Sequence, residues 1–107
     1  MKQISAPELA AWLADASREK PVLLDVREPW EFERARIEGA QLVPMREVPG
    51  WLKEIGQDKP VVAICHHGGR SMQVALFLEK AGYNNVHNLT GGVDAWSRTV
   101  DPAVPVY

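Results

Sequence analysis

The chain has 107 residues, 46% hydrophobic and 24% charged, with a formal net charge of −2. That is one domain's worth of an ordinary globular composition, able to bury a core without metal or disulfide staples. The slight acidity and the absence of a Lys/Arg-rich run exclude nucleic acid as an expected partner, and no apolar stretch approaches the roughly 20 residues that span a bilayer.

Met1 to Ser5 lacks the apolar run of a signal peptide, so a cytoplasmic protein is expected. Ser5 reads as a helix N-cap with Glu8 three residues on, the spacing of a capping box. Leu9, Trp12, Leu13 and Ala16 then recur at helical spacing, and the helix is expected to end near Ser17. Pro21 to Val26 is short, apolar and bounded by breakers, as suits a strand buried on both faces. Pro29 opens a charged helical turn or two, through about Arg36. Gly39 to Pro44 reads as a second short strand. Arg46 to Ile55 is weakly helical, interrupted at Pro49-Gly50, with Val48, Trp51, Leu52 and Ile55 as its apolar face.

Pro60 to Ile64 is the clearest strand. Six residues follow, Cys65-His66-His67-Gly68-Gly69-Arg70, before Val74, Phe77, Leu78 and Ala81 mark a strong helix with Gly82 as its C-terminal cap residue. Asn85 to Leu89 reads as a last strand and Gly92 to Arg98 as a last helix. Strands alternating with helices predict an α/β fold with a parallel sheet. One domain over residues 1–107 is expected, with a tail from about residue 100 whose two prolines carry it over the surface.

There is one cysteine, so neither an internal disulfide nor a paired-cysteine metal motif is available. A lone cysteine is commonly a small buried hydrophobe. Cys65, however, follows a buried strand and precedes a Gly-containing loop and a helix. In open α/β sheets ligands bind beyond the carboxyl ends of the strands. Backbone N–H groups and a helix N-terminus converge there on an anion. Gly68 and Gly69 permit close backbone approach, and Arg70 adds a fixed positive charge. The pattern is that of a thiol nucleophile in an anion cradle.

At these residues the chain resembles the rhodanese family. Leu24-Asp25-Val26-Arg27-Glu28-Pro29-Trp30-Glu31-Phe32 with Ile37-Glu38-Gly39-Ala40 is similar to the family segment Asp-Val-Arg-x-x-x-Glu-Phe…His-Ile-x-Gly-Ala. Cys65 to Arg70 with Ser71 is similar to its active-site loop. Leu89-Thr90-Gly91-Gly92-Val93-Asp94-Ala95-Trp96 is similar to its Leu-x-Gly-Gly-x-x-x-Trp segment. Arg36 departs from the pattern, standing where the family often has His. The resemblance implies a rhodanese-like α/β domain: a central five-stranded, mostly parallel sheet flanked by helices on both faces. It also implies a sulfurtransferase in which Cys65 takes sulfane sulfur from a donor such as thiosulfate and passes it, as a persulfide, to a small or protein thiol. His66, His67, Gly68, Gly69, Arg70 and Ser71 would bind the donor sulfur, and no cofactor or metal is required.

Two other functions share these residues. Related cysteine phosphatases use a Cys-to-Arg loop with one more residue than the four between Cys65 and Arg70, and the shorter cradle suits a sulfur atom better than a phosphate. A non-catalytic rhodanese module serving protein docking usually lacks the cysteine. His66 and His67 are either anion-holding imidazoliums or exposed loop residues, and three adjacent residues do not readily face one metal. The charged run Arg27, Glu28, Glu31, Glu33, Arg34, Arg36 and Glu38 reads as a solvated helix face. Asp25 and Arg27, at a strand end, are assigned a supporting role at the pocket. Trp12, Trp51 and Trp96 are expected in the core, Trp30 partly buried, and His87 structural or solvated.

Overall fold

The computed structural model describes residues 1–107. Five strands form one sheet: β1 (Lys2–Ile4), β2 (Val22–Asp25), β3 (Gln41–Leu42), β4 (Val61–Ile64) and β5 (Val86–Leu89). Their order is β1-β5-β4-β2-β3, and every neighbouring pair is parallel. The helices are α1 (Ala6–Ala14), α2 (Pro29–Arg34), α3 (Val48–Trp51), α4 (Gly69–Lys80) and α5 (Gly92–Thr99). No helix is long and apolar enough to cross a membrane.

β4 sits mid-sheet with all four residues buried, and its alternation feeds two cores. Val61 and Ala63 face a layer with Leu24, Val74, Ala75 and Leu78, under α3 and α4. Val62 and Ile64 face the opposite layer with Leu9, Trp12, Val93 and Trp96, under α1 and α5. Trp51 packs only partly against the first layer, and Trp30 stands 61% exposed, more open than the sequence suggests. Its neighbour is the ring of Tyr107, met edge-on at 5.9 Å.

Several boundaries differ from the sequence-based ones. The residues of β1 read as no element at all from the sequence. The Ser5–Glu8 capping box forms as expected, but α1 stops at Ala14. There Asp15 turns its carboxylate onto the N–H and hydroxyl of Ser17, giving the backbone a local alternative to helix. Pro49 does not break the third helical segment; it lies in the first turn of α3, where proline lacks nothing that turn needs. Short 3-10 turns, Met45–Glu47 and Leu52–Glu54, flank it. α4 begins at Gly69, so Arg70 and Ser71 belong to its first turn rather than to the loop.

Candidate active site

Cys65 is the first residue after β4 and is only 1% exposed. Its sulfur accepts the Gly68 N–H at 3.0 Å and lies 3.3 Å from Ser71 Oγ. Gly68, at φ +106°, caps α4 in the left-handed region, and an added Cβ would crowd Gly91 N and Leu89 O, both 3.3 Å away. Gly69 has no such constraint: nothing lies within 4 Å of the position its Cβ would take. The glycine pair expected to act together is therefore one conformational requirement and one ordinary helix residue.

The Ser71 hydroxyl carries one proton and has two acceptors in reach, Cys65 Sγ and Asn88 Oδ1. Asn88 cannot reverse its amide, because Nδ2 donates to Gln3 Oε1 at 3.0 Å and to Gly68 O at 3.2 Å. Ser71 can thus serve a sulfur anion by releasing Asn88. Ser71 and Asn88 are both buried.

The start of α5 fixes the loop from below. Val93 N–H donates to Cys65 O at 2.9 Å and Asp94 N–H to His66 O at 3.1 Å. Gly92 sits at φ +59°, and a Cβ there would fall 2.3 Å from Cys65 O and 2.4 Å from His66 O. This is the physical reason for paired glycines before the final helix. Gly92→Ala is expected to destabilise the fold by about 1–3 kcal/mol, whereas Gly69→Ala should change stability by well under that. Urea melts of the two variants check the contrast, and equal losses would remove this account.

The charged residues do not all face solvent. Arg27 is fully buried, and Glu31 is 4% exposed. Arg27 and Asp25 form a fully buried ion pair at 2.7 Å, and Arg27 also donates to Ala35 O at 2.6 Å and to the Tyr107 hydroxyl at 2.7 Å. Tyr107 in turn donates to Glu31 Oε2 at 2.9 Å. Burial pushes the Tyr107 phenol up to about 12, so it keeps its proton. Glu31 grips Arg70 with both oxygens, at 2.7 and 2.9 Å. The fixed positive charge of Arg70 is therefore matched by a carboxylate. Arg36, the departure from the family segment, lays its guanidinium over Phe32 at 4.9 Å.

The paired Arg70 guanidinium holds the Glu31 carboxyl down from 4.5 to about 2. A depressed carboxyl stabilises the fold above its unfolded value and loses that contribution as pH falls toward its folded one. Relative to Glu31→Gln, the wild type should hold an advantage at pH 7 that shrinks below pH 4.5 and vanishes near pH 2. Since the exposed part of Arg70 is screened, about 1–2 kcal/mol is expected. Chemical denaturation across that range checks it; a gap that widens on acidification would refute it.

His66 stacks on Tyr107, ring centroids 4.0 Å apart, and lies 3.9 Å from the His67 ring. Burial lowers the His66 pKa, which keeps the ring neutral at pH 7. His67 is exposed, 4.0 Å from Asp94. His66, His67 and Asp94 bring ligand-capable atoms within 4.8 Å of one another, a grouping that sequence distance hides. Asp94 is already bonded to Arg98 at 3.0 Å, and the two imidazoles lie ring against ring instead of converging. His87 sits edge-on to Trp12 at 5.2 Å, away from the loop.

Cys65 lines none of the cavities. One of about 460 Å³ borders the loop through His67, Gly68, Gly69, Met72, Asn88 and Gly91. Glu31, Asn88, Gln3 and Tyr107 are the site-forming residues that sequence reasoning missed. Glu31 occupies the fixed Glu of the family segment, and Asn88 is a polar residue inside a buried strand, so both left a signal. Tyr107 left none.

The rhodanese-like domain profile matches residues 8–99, a span holding Cys65, the Arg70–Glu31 pair and the glycines before α5. The chain belongs to the rhodanese family. A rhodanese-like/PpiC domain-containing chloroplast protein of Arabidopsis thaliana is 38% identical over 100% of the chain, which spans only 38% of that protein's length. A protein of Allochromatium vinosum named sulfurtransferase is 38% identical over 97% of the chain and 95% of its own length. The crystal structure of SSP1007 from Staphylococcus saprophyticus superposes with a TM-score of 0.84 at 33% identity, covering 94% of this chain and 97% of that one. This rhodanese thus shares its fold with solved structures and its sequence with proteins named sulfurtransferases.

Proposed function

We propose that this rhodanese moves sulfane sulfur from a small donor such as thiosulfate to a thiophilic acceptor through a persulfide on Cys65. The observation that carries the reading is the cradle at the end of β4. Its Gly68 N–H and Ser71 hydroxyl converge on Sγ at the N-terminus of α4. The Cys65 thiolate attacks the outer sulfur of the donor, the S–S bond of the donor breaks, and sulfite leaves with the bonding pair. The bound sulfur then passes to an acceptor thiol, restoring the enzyme. His66, His67, Gly68, Gly69, Arg70 and Ser71 form the walls of the donor site, while Asp25 and Arg27 brace it from within. The pairing of Arg70 with Glu31 argues against the phosphatase alternative, since a phosphate needs that guanidinium free.

The test is the intact mass of the protein after exposure to donor. A gain of one sulfur atom, lost again on adding cyanide or a thiol, is expected. An unchanged mass with every sulfane donor would leave the docking-module reading in its place.

A further inference from the structure

Thiosulfate carries two negative charges, and the attacking thiolate carries a third. A site built for it would hold an uncompensated cation. Around the Cys65 loop every arginine is matched: Arg70 by Glu31, Arg27 by Asp25, Arg98 by Asp94 and Arg46 by Glu28. Burial keeps His66 neutral, and His67 has Asp94 beside it. What remains for an anion is the N-terminus of α4 with the Gly68 N–H and the Ser71 hydroxyl, equivalent to about half a positive charge. That suffices for one sulfur anion and not for a dianion beside a thiolate. Beside the loop three aromatic rings cluster, His66 stacked on Tyr107 and Trp30 meeting Tyr107 edge-on, with Trp30 exposed.

We infer that Glu31 is a specificity-determining residue: by neutralising Arg70 it turns the site toward organic sulfane donors of low charge, thiosulfonates above all, and away from dianionic thiosulfate. This rests on the sulfurtransferase reading. The step balances in the same way for either donor. With a thiosulfonate, the Cys65 thiolate bonds to the outer sulfur, the donor S–S bond breaks, and a sulfinate leaves with the electron pair, so one negative charge stays on the persulfide and one departs. The organic group takes the place of one charged oxygen and meets the aromatic cluster instead of water.

The experiment compares kcat/KM for methanethiosulfonate and thiosulfate, with persulfide on Cys65 read by mass. Glu31→Gln keeps the side chain's shape and frees the Arg70 charge. It should shift the donor ratio about tenfold toward thiosulfate. Arg70→Gln, which leaves Glu31 uncompensated, should shift it the other way, and the double variant should return it to the wild-type value. A mere structural role for the pair would lower both donors together and leave the ratio fixed, overturning the inference. One measurement needs no variant. Raising salt from about 0.01 to 0.15 M should leave wild-type thiosulfate turnover level or raise it, because screening relieves repulsion; a steep fall would reveal a free cation and overturn the inference. If neither donor loads Cys65 in the wild type, the sulfurtransferase reading falls first, a result distinct from loading by both with an unmoved ratio.

Discussion

Cys65→Ser is expected to abolish sulfur transfer, by more than about 10³-fold, while the protein stays folded. The chain has no second thiol to take over. A serine hydroxyl at pH 7 is too weakly acidic to form the anion the attack requires. Its oxygen would still accept the Gly68 N–H, and the change at a buried position is one atom, so the loop should hold its shape. Circular dichroism and a urea melt confirm the fold, and thiocyanate release from donor plus cyanide gives the rate. A folded Cys65→Ser protein with wild-type turnover would end the persulfide mechanism.

The largest effect on stability should come from Arg27→Met. Methionine fills similar space but leaves the Asp25 carboxylate fully buried without its partner. Removing one member of a buried ion pair costs about 3–5 kcal/mol, a large share of a small domain's total. Ala35 O and the Tyr107 hydroxyl would lose their donor as well. The double variant Asp25→Leu/Arg27→Met removes both charges and should be more stable than Arg27→Met alone, since no orphan ion remains. Denaturation midpoints of the three proteins give the answer. A single variant no weaker than the double would show that the pair is not what holds this corner.

How legible all this was depended on range. The Gly68 turn before α4, the Ser5–Glu8 cap and the buried run before Cys65 are local signals, and the structure keeps them within a few residues. The order of buried strand, Cys65, Gly68-Gly69, Arg70 and helix singled out the thiol and its loop, and the resemblance agreed with it. β1 escaped because its three residues show no apolar run and acquire their identity only by pairing with β5. The charged run after β2 misled for a related reason: composition marks Arg27 and Glu31 as surface residues, and only the folded neighbours, Asp25 and Arg70, allow their burial. The tail does run over the surface as its prolines suggest, yet Tyr107 reaches back to bond Arg27 and Glu31. Nothing short of tertiary packing announces that contact.

The pairing of β1 with β5 also sets when the loop around the thiol is complete. Gln3 bonds Asn88 across 85 positions of chain. A closure of that span repays its entropy only after the intervening strands have assembled. On the ribosome, a chain that has emerged just past Cys65 already carries the thiol beyond the end of β4, but α5 has not yet tied down the loop carbonyls and Asn88 has not yet met Ser71. The cysteine therefore passes through biosynthesis without the hydrogen-bonded loop that surrounds it in the fold, and the proposed sulfur transfer would wait for the sheet to close.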